Sequence, residues 1–263
     1  MMDRYRHHRA QSGRDLSLPC EVAIALSYNG STQAVMMATP ADLHDFAYGF
    51  SLTEGIASRA EIDSVTVQET DLGIDLQIWL MPTAEGRLTS RRRTMAGPVG
   101  CGLCGIDSLE QAVRSPHPVP ASDLHLTPSM VIQAVRDMGA HQPLHDLTRA
   151  THAAAYWVPG QGCVALREDV GRHNALDKLV GAVSAGGYAA GVVVITSRVS
   201  IDMVQKCAAL GAAVLIAVAA PTAAAVAMAD GAGITLVALA RGDRFEVFSH
   251  PSRIATKDIS DVA

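Results

Sequence analysis

The chain has 263 residues, 49% of them hydrophobic and 18% charged, with a formal net charge of −5. That length allows one large domain or two small ones with a sizeable core, and the acidic balance excludes a general nucleic-acid coat. Five cysteines (Cys20, Cys101, Cys104, Cys163 and Cys207) are odd in number and irregularly spaced, which excludes a secreted disulfide framework.

The opening "MMDRYRHHRAQSGRD" is basic and lacks the apolar stretch of a secretory signal. Residues 1–19 read as a mobile basic tail, and free thiols without a signal favour the cytoplasm as the expected location. Residues 20–38 alternate apolar and polar around Asn29-Gly30, a hairpin signal. "TPADLHDFAYGFSLTEG" follows as a helix, with Thr39 as its cap, Pro40 in the first turn, Asp42 completing a capping-box-like pattern and Gly55 at its end. "SVTVQ" and "GIDLQIWLM" are alternating strands across a short turn. Residues 20–120 therefore form an α+β domain.

"GPVGCGLCGID" comes next, residues 97–107, with two cysteines among four glycines. After it, "RSPHPVPASD" (114–123) has three prolines, which mark a domain boundary near residue 120.

Residues 121–263 carry a more regular pattern. Thr127 and Pro128 start a helix that Gly139 ends. "THAAAYWV" and "GCVALRED" are a pair of strands. "GRHNALDKLVGAVSAGG" is a helix with Leu176, Leu179, Val180 and Val183 on one face. Apolar strands "GVVVITS", "AAVLIAVAA" and "ITLVALA" then alternate with short helices, the signature of a parallel sheet covered on both faces, and "RFEVFS" adds an edge strand. Residues 211–229 are uncharged and long enough to cross a bilayer, but Pro221 and Thr222 in the middle favour a strand, a turn and a helix. No membrane span is expected.

Parallel sheets bind ligands at the carboxyl ends of their strands. Arg198, Thr222 and Arg241 are expected to line that edge, with Ser200 and Thr222 at helix N-termini that favour anions. Plain helix capping and solvated arginines are the competing account. The densest polar stretch is "REDVGRHNALDK" (167–178), where His173 and Asp177, and Asn174 and Lys178, are spaced four apart. It reads either as a ligand-contacting turn or as a helix start with surface pairs. No G-x-G-x-x-G or Walker A motif accompanies it.

A structural zinc site needs four ligands, and one Cys-x-x-Cys with His117 and His125 nearby does not supply them. No structural metal is expected. The four glycines predict a mobile loop; Arg91, Arg92 and Arg93 upstream read either as charge that favours a thiolate or, for at least two of them, as a solvated strand end. Spacing leaves dithiol redox chemistry and sulfur transfer level, since both use an activated thiolate.

"GCGLCG", "THAAA", "REDVGRHNALDKLVG", "RVSIDMVQK", "APT" and "LARGDRFEVFSH" occur in the order typical of the FdhD family, which the chain resembles from about residue 20 onward. These are formate dehydrogenase accessory sulfurtransferases. The resemblance implies a sulfur relay: a cysteine desulfurase loads a persulfide on the Cys-x-x-Cys, and the sulfur passes to the bound molybdenum bis(molybdopterin guanine dinucleotide) cofactor. The formate dehydrogenase catalytic subunit then receives that cofactor. By the same resemblance Cys101 is the carrier and Cys104 the second thiol, and Leu239, Ala240, Arg241, Gly242, Asp243 and Arg244 match the stretch assigned to cofactor binding. Glu168, His173, Arg198, Thr222 and Lys206 are further candidates for cofactor contacts, although Lys206, two turns into its helix, also suits a surface position. The C-terminal domain is similar to the cytidine deaminase fold, without its zinc ligands. A homodimer packed through alanine-rich helices is expected.

Two departures stand out. Thr148-Arg149-Ala150 replaces a usual "TGG", so a charged residue occupies a position where glycine would let the backbone turn tightly or approach a ligand. "SIDMVQKC" stands where "SSEMVQK" is common. A cofactor-binding chaperone that moves no sulfur and a thiol–disulfide oxidoreductase are the alternative functions.

Overall fold

A computed structural model describes residues 2–84, 86, 87 and 116–255. These residues fall into two compact units. The first takes the described residues before 88 together with Gln142–Ala154 and Leu166–Gly186. The second takes 116–141, Ala155–Ala165 and the described residues from Gly187 onward.

The first unit opens with a two-stranded ribbon, β1 (Tyr5–Arg9) and β2 (Asp15–Pro19), paired antiparallel from Tyr5↔Pro19 to Arg9↔Asp15. Most of the segment read as a tail is thus regular structure. Gly13, at φ 81, sits in the turn between the strands.

A four-stranded sheet follows, built from β3 (Val22–Tyr28), β4 (Ser31–Ala38), β5 (Ile62–Thr70) and β6 (Gly73–Leu80) in the order β4-β3-β6-β5. Asn29 and Gly30 both have positive φ (48° and 77°), the type I′ geometry that the dipeptide predicts. One face alternates Ile24, Leu26 and Tyr28 with Ile74, Leu76, Ile78 and Leu80, all buried with Phe46, Ala47 and Phe50 of helix α1 (Leu43–Thr53). The buried Tyr28 hydroxyl is satisfied by Ser51 Oγ at 2.8 Å.

Helix α1 starts later than the sequence suggests. Asp42 is its N-cap, in the left-handed region, and makes no side-chain cap bond. Thr39 is not available as a cap because its backbone and hydroxyl bind the 169–178 segment, as described below. Gly55, at φ 67, follows the helix as expected.

Helix α2 (Pro128–Gly139) and helix α3 (Pro143–Thr148) come next, then β7 (His152–Val158), β8 (Gly162–Asp169) and helix α4 (Arg172–Ser184). Thr127 caps α2 by accepting from Met130 N–H. The boundaries between units fall within β7 and β8. A single division near residue 120 would separate α4 from α1, yet contacts group α4 with the first unit. The physical reason is a glycine-to-backbone crossing. A Cβ on Gly49 would overlap the Asp177 carbonyl, and one on Gly181 would overlap the Asp45 carbonyl. Both helices give up side chains so that their backbones can meet.

The second unit holds β9 (Val192–Ile195), helix α5 (Ile201–Leu210), β10 (Val214–Ala217), helix α6 (Ala223–Gly231), β11 (Thr235–Arg241) and β12 (Arg244–Ser249). Strands β9, β10 and β11 are parallel, with Leu215 opposite Val193 and Leu236. β12 pairs antiparallel with β11 at the edge of the six-stranded sheet β12-β11-β10-β9-β7-β8. Every residue of β9 and β10 is buried, which requires cover on both faces. The fold is mixed α/β, as the sequence implies. The uncharged stretch 211–229 is β10, a turn at Pro221 and α6. Among the described residues no helix is long and apolar enough to cross a membrane.

The crossing of α1 and α4 predicts that Gly49→Ala costs about 3 kcal/mol, read from urea unfolding. Gly139→Ala, where nothing lies within 4 Å of a new Cβ, should be neutral or stabilise by a few tenths of a kcal/mol, on the order expected for a permitted glycine replacement.

Candidate functional site

The 167–178 block folds as the end of β8 and the first two turns of α4. Asp169 is 0% exposed and accepts four hydrogen bonds. Its Oδ2 takes Lys178 Nζ at 2.6 Å and Thr39 N–H at 3.0 Å. Its Oδ1 takes Gly171 N–H at 2.8 Å and Asn174 Nδ2 at 3.1 Å. Lys178, also fully buried, donates again to the Thr39 carbonyl at 2.8 Å, while Asn174 Nδ2 donates to the Met37 carbonyl. Val170 N–H donates to Thr39 Oγ1. The pair Asn174 and Lys178 is therefore interior, and Asp177, the partner spaced from His173, is also buried and accepts from Thr53 Oγ1 at 2.6 Å.

Glu168 is nearly buried, and its carboxylate is engaged by backbone. It accepts from Leu144 and His145 N–H at 2.8 and 2.7 Å, holding the first turn of α3 from outside. Thr151 Oγ1 donates to it as well, at 3.4 Å. Arg167 grips Asp45 through Nε and Nη2 at 2.8 and 2.6 Å. Most of the motif's polar groups thus hold the first unit together.

His173, by contrast, is partly exposed, and it stands in a cationic neighbourhood that the spacing argument missed. Burial first, then the charges of Arg172 and His173, push the His152 imidazole below its ordinary 6.5, with His145 adding to the effect and Asp169 opposing it. The legible signal was Arg172-His173 in the first turn of a helix that has no acid there. Cations at a helix N-terminus run against the macrodipole.

Arg149 takes φ 56 at the end of α3. Arg149, expected to stand at a glycine position, sits in the left-handed conformation that glycine adopts at no steric cost.

In the second unit the carboxyl ends of β9, β10 and β11 are stitched together. Val199 and Pro221 form a parallel bridge. Val199 N–H donates to the Ala220 carbonyl, Thr222 N–H to the Val199 carbonyl and Leu239 N–H to the Ala219 carbonyl. Arg241 Nε donates to the Val218 carbonyl at 3.1 Å. Arg198, Thr222, Leu239 and Arg241 are all exposed along this edge. Gly242, with φ 63, and Asp243 continue it as the turn into Arg244, the first residue of β12.

Thr222 caps α6 through Ala225 N–H at 3.1 Å. Ser200 stands at the N-cap of α5, makes no cap bond, and has a buried Oγ without a hydrogen-bond partner. Leu239 has φ 56 inside an irregularity of the β11–β12 pairing and remains 43% exposed. Ala240 and Lys206 are buried, so Lys206 is not the surface residue that its place in the helix allowed. The nearby Cys207 is fully buried, and burial pushes its thiol up to about 12, far from thiolate chemistry at neutral pH. Cys101, Cys104 and the arginines at 91–93 lie outside the described residues.

A polar strand-to-helix block and a parallel sheet with a cationic carboxyl edge define the class: a two-unit mixed α/β protein. The model of the FdhD/NarQ family matches residues 19–255, and the chain belongs to that family. A sulfur carrier protein FdhD of Agrobacterium fabrum is 54% identical over 90% of this chain and 89% of its own length. The protein of the same name from Brucella abortus is 53% identical over 94% of each chain. Among solved structures, one described as a formate dehydrogenase accessory protein from Desulfotalea psychrophila superposes with a TM-score of 0.71. It shares 26% identity, over 95% of this chain and 97% of its own.

The buried network predicts that Asp169→Asn, which leaves Lys178 charged and uncompensated, destabilises the protein by about 3–5 kcal/mol in chemical unfolding. The His152 environment predicts an imidazole that titrates below 6.5 by NMR. The unfolded chain then binds its proton first, so this histidine removes stability as pH falls from 6.5 toward the folded-state value, and His152→Gln flattens that part of the profile.

Proposed function

We propose that the chain is a sulfur carrier that takes persulfide sulfur from a cysteine desulfurase and delivers it to molybdenum bis(molybdopterin guanine dinucleotide), bound as substrate, before the cofactor enters a formate dehydrogenase catalytic subunit. The observation that carries this reading is the set of relatives named sulfur carrier protein FdhD, about half identical over nearly the whole of both chains. The Cys101-x-x-Cys104 pair supplies the chemistry.

Cys101 thiolate attacks the outer sulfur of the donor persulfide. The donor's S–S bond breaks, the donor cysteine leaves as thiolate, and Cys101 becomes the persulfide. Cys104 thiolate then attacks Cys101 Sγ. A Cys101–Cys104 disulfide forms and the outer sulfur leaves as sulfide, reduced by two electrons from the cysteine pair. A thiol-class reductant restores the pair for the next cycle.

The second unit supports the other half of the reading. The cofactor's guanine dinucleotide arms are anionic. Arg198, Arg241 and the N-termini of α5 and α6 give the carboxyl edge donors and positive potential that suit phosphate. In the first unit Arg172 adds a second positive charge, beside the His173 and His152 imidazoles.

Incubation with a desulfurase and isotopically labelled cysteine should add one labelled sulfur to Cys101, seen by intact mass and peptide mapping, and Cys101→Ala should abolish it. Guanosine diphosphate, as a probe for the nucleotide arms, should bind the wild type and bind Arg241→Ala about tenfold or more weakly, the scale of one lost charge-assisted contact. Nucleotide binding with no labelled sulfur on either cysteine identifies a cofactor-holding chaperone. Rapid reduction of model disulfides without persulfide identifies an oxidoreductase.

A further inference from the structure

The β1–β2 ribbon carries a face that sulfur transfer leaves unused. Successive residues of a strand point to opposite faces, and the register sorts them. Arg6 stands opposite Leu18 and His8 opposite Leu16, so these four side chains share one face. Arg4 continues the row, its carbonyl accepting from Cys20 N–H at 2.8 Å. The other face is the more covered one. Tyr5, Ser17 and Pro19 are half-buried there, and the His7 ring lies edge-on to Tyr5 with Nδ1 3.4 Å from Ser17 Oγ. On the open face Arg4, Arg6, His8, Leu16 and Leu18 are all exposed, the two leucines at 39% and 43%.

Two properties of this face select a partner. Its ionisable groups are all basic, and Asp15, opposite Arg9, belongs to the other face. Residues 2–20 hold four arginines and two aspartates in a chain whose net charge is −5, so the ribbon is a positive region of a negative chain. The second property is arrangement. The basic residues form one row on β1, and the leucines form the adjacent row on β2. Protein interfaces gather apolar residues into a core ringed by polar ones. Adjacent rows suit the boundary between lipid headgroups and acyl chains instead. Arginine stems lie along apolar surface there with their guanidinium groups among the phosphates, and leucines dip below.

We propose that this face docks the chain on an anionic lipid surface, lying on the bilayer without spanning it. Arg4, Arg6 and His8 meet the headgroup phosphates, with Arg9 and Arg14 beside the turn adding to the attraction, while Leu16 and Leu18 enter the acyl boundary. The same surface repels the rest of the chain, which is acidic, so contact is confined to the ribbon. A few basic side chains attract modestly and two leucines anchor weakly, so docking is reversible and needs both rows.

Flotation of the full chain with lipid vesicles tests the docking. Binding is expected to phosphatidylcholine vesicles that carry about 30% phosphatidylglycerol, in about 50 mM salt, and should fall as salt rises to about 500 mM. On pure phosphatidylcholine it should be about tenfold or more weaker. Arg6→Glu should weaken binding to the anionic vesicles about tenfold or more, and Arg6→Lys, which keeps the charge, should bind as the wild type does. Arg136→Glu makes the same charge change at an exposed site on α2 and should shift binding less than about twofold. Leu16→Ser with Leu18→Ser should weaken binding about tenfold with the circular dichroism spectrum unchanged, since both leucines are exposed. Absence of flotation with anionic vesicles, equal flotation with neutral ones, an Arg136→Glu effect as large as that of Arg6→Glu, or wild-type binding by the leucine variant would each overturn the proposal. So would a ribbon that leaves lipid unbound and captures an acidic protein instead.

Discussion

The contact on which the first unit depends is the ion pair between Asp169 and Lys178, both without solvent exposure. Removing two charges from water costs several kcal/mol per ion, so the pair persists only because the surroundings answer almost every lone pair and proton. Asp169 receives four donors and Lys178 has two acceptors. The third party in this arrangement is Thr39, which presents its N–H to the carboxylate, its carbonyl to the ammonium and its hydroxyl to Val170. A chain reversal after β4 is thereby fixed to a strand end 130 residues later. The same polar anchoring, with Arg167 on Asp45 and Thr53 on Asp177, follows α1 along its whole length. Charge sets the register of α1 against α4, and the two glycine contacts set the distance.

The second unit solves a different problem. Its central strands β9 and β10 are short, wholly apolar and buried, so nothing in them can recognise a ligand. The segments proposed to meet a ligand lie at and beyond the strand ends, where they hydrogen-bond one another before they reach the helices. That stitching leaves the arginines and the capping Thr222 on a common edge. It also tolerates Leu239 in a left-handed conformation, which costs about 1 kcal/mol or more for a residue with a Cβ.

Much of this was legible in the sequence, for identifiable reasons. The Asn29-Gly30 hairpin, the Thr127 and Thr222 caps and the alternation of apolar strands with helices are local signals, and each appears where the pattern put it. Non-local requirements were not legible. Nothing in "TPADLHD" says that Thr39 is bound to an aspartate and a lysine far along the chain, so a competent capping motif is left unused. Nothing in the four-residue spacing of Asn174 and Lys178 separates an exposed pair from a buried one. The helix period tells which residues share a face, but α4 is buried on every side from Asn174 to Ala182, and a one-faced pattern cannot report that. The ribbon was missed because β1 is basic and without apolar alternation, and β2 alternates over two leucines only. At the candidate site, the strand-end residues were found from the logic of parallel sheets. The histidines around His173 were not, since they come together from α3, β7 and α4.

The discontinuity of the first unit has a consequence for synthesis. Its sheet and first helix are complete in sequence by Leu80, yet Asp45, Thr39, Gly49 and Thr53 all find their partners between residues 167 and 181. A nascent chain that has emerged only to the proline-rich segment holds a sheet whose helix shows bare glycine backbone and unanswered polar groups. The unit that begins first therefore closes late, after the intervening residues of the second unit have been made. Order of translation and order of completion run in opposite senses along this chain, and a fragment cut at the proline-rich boundary would carry the sheet but not the lysine that locks it.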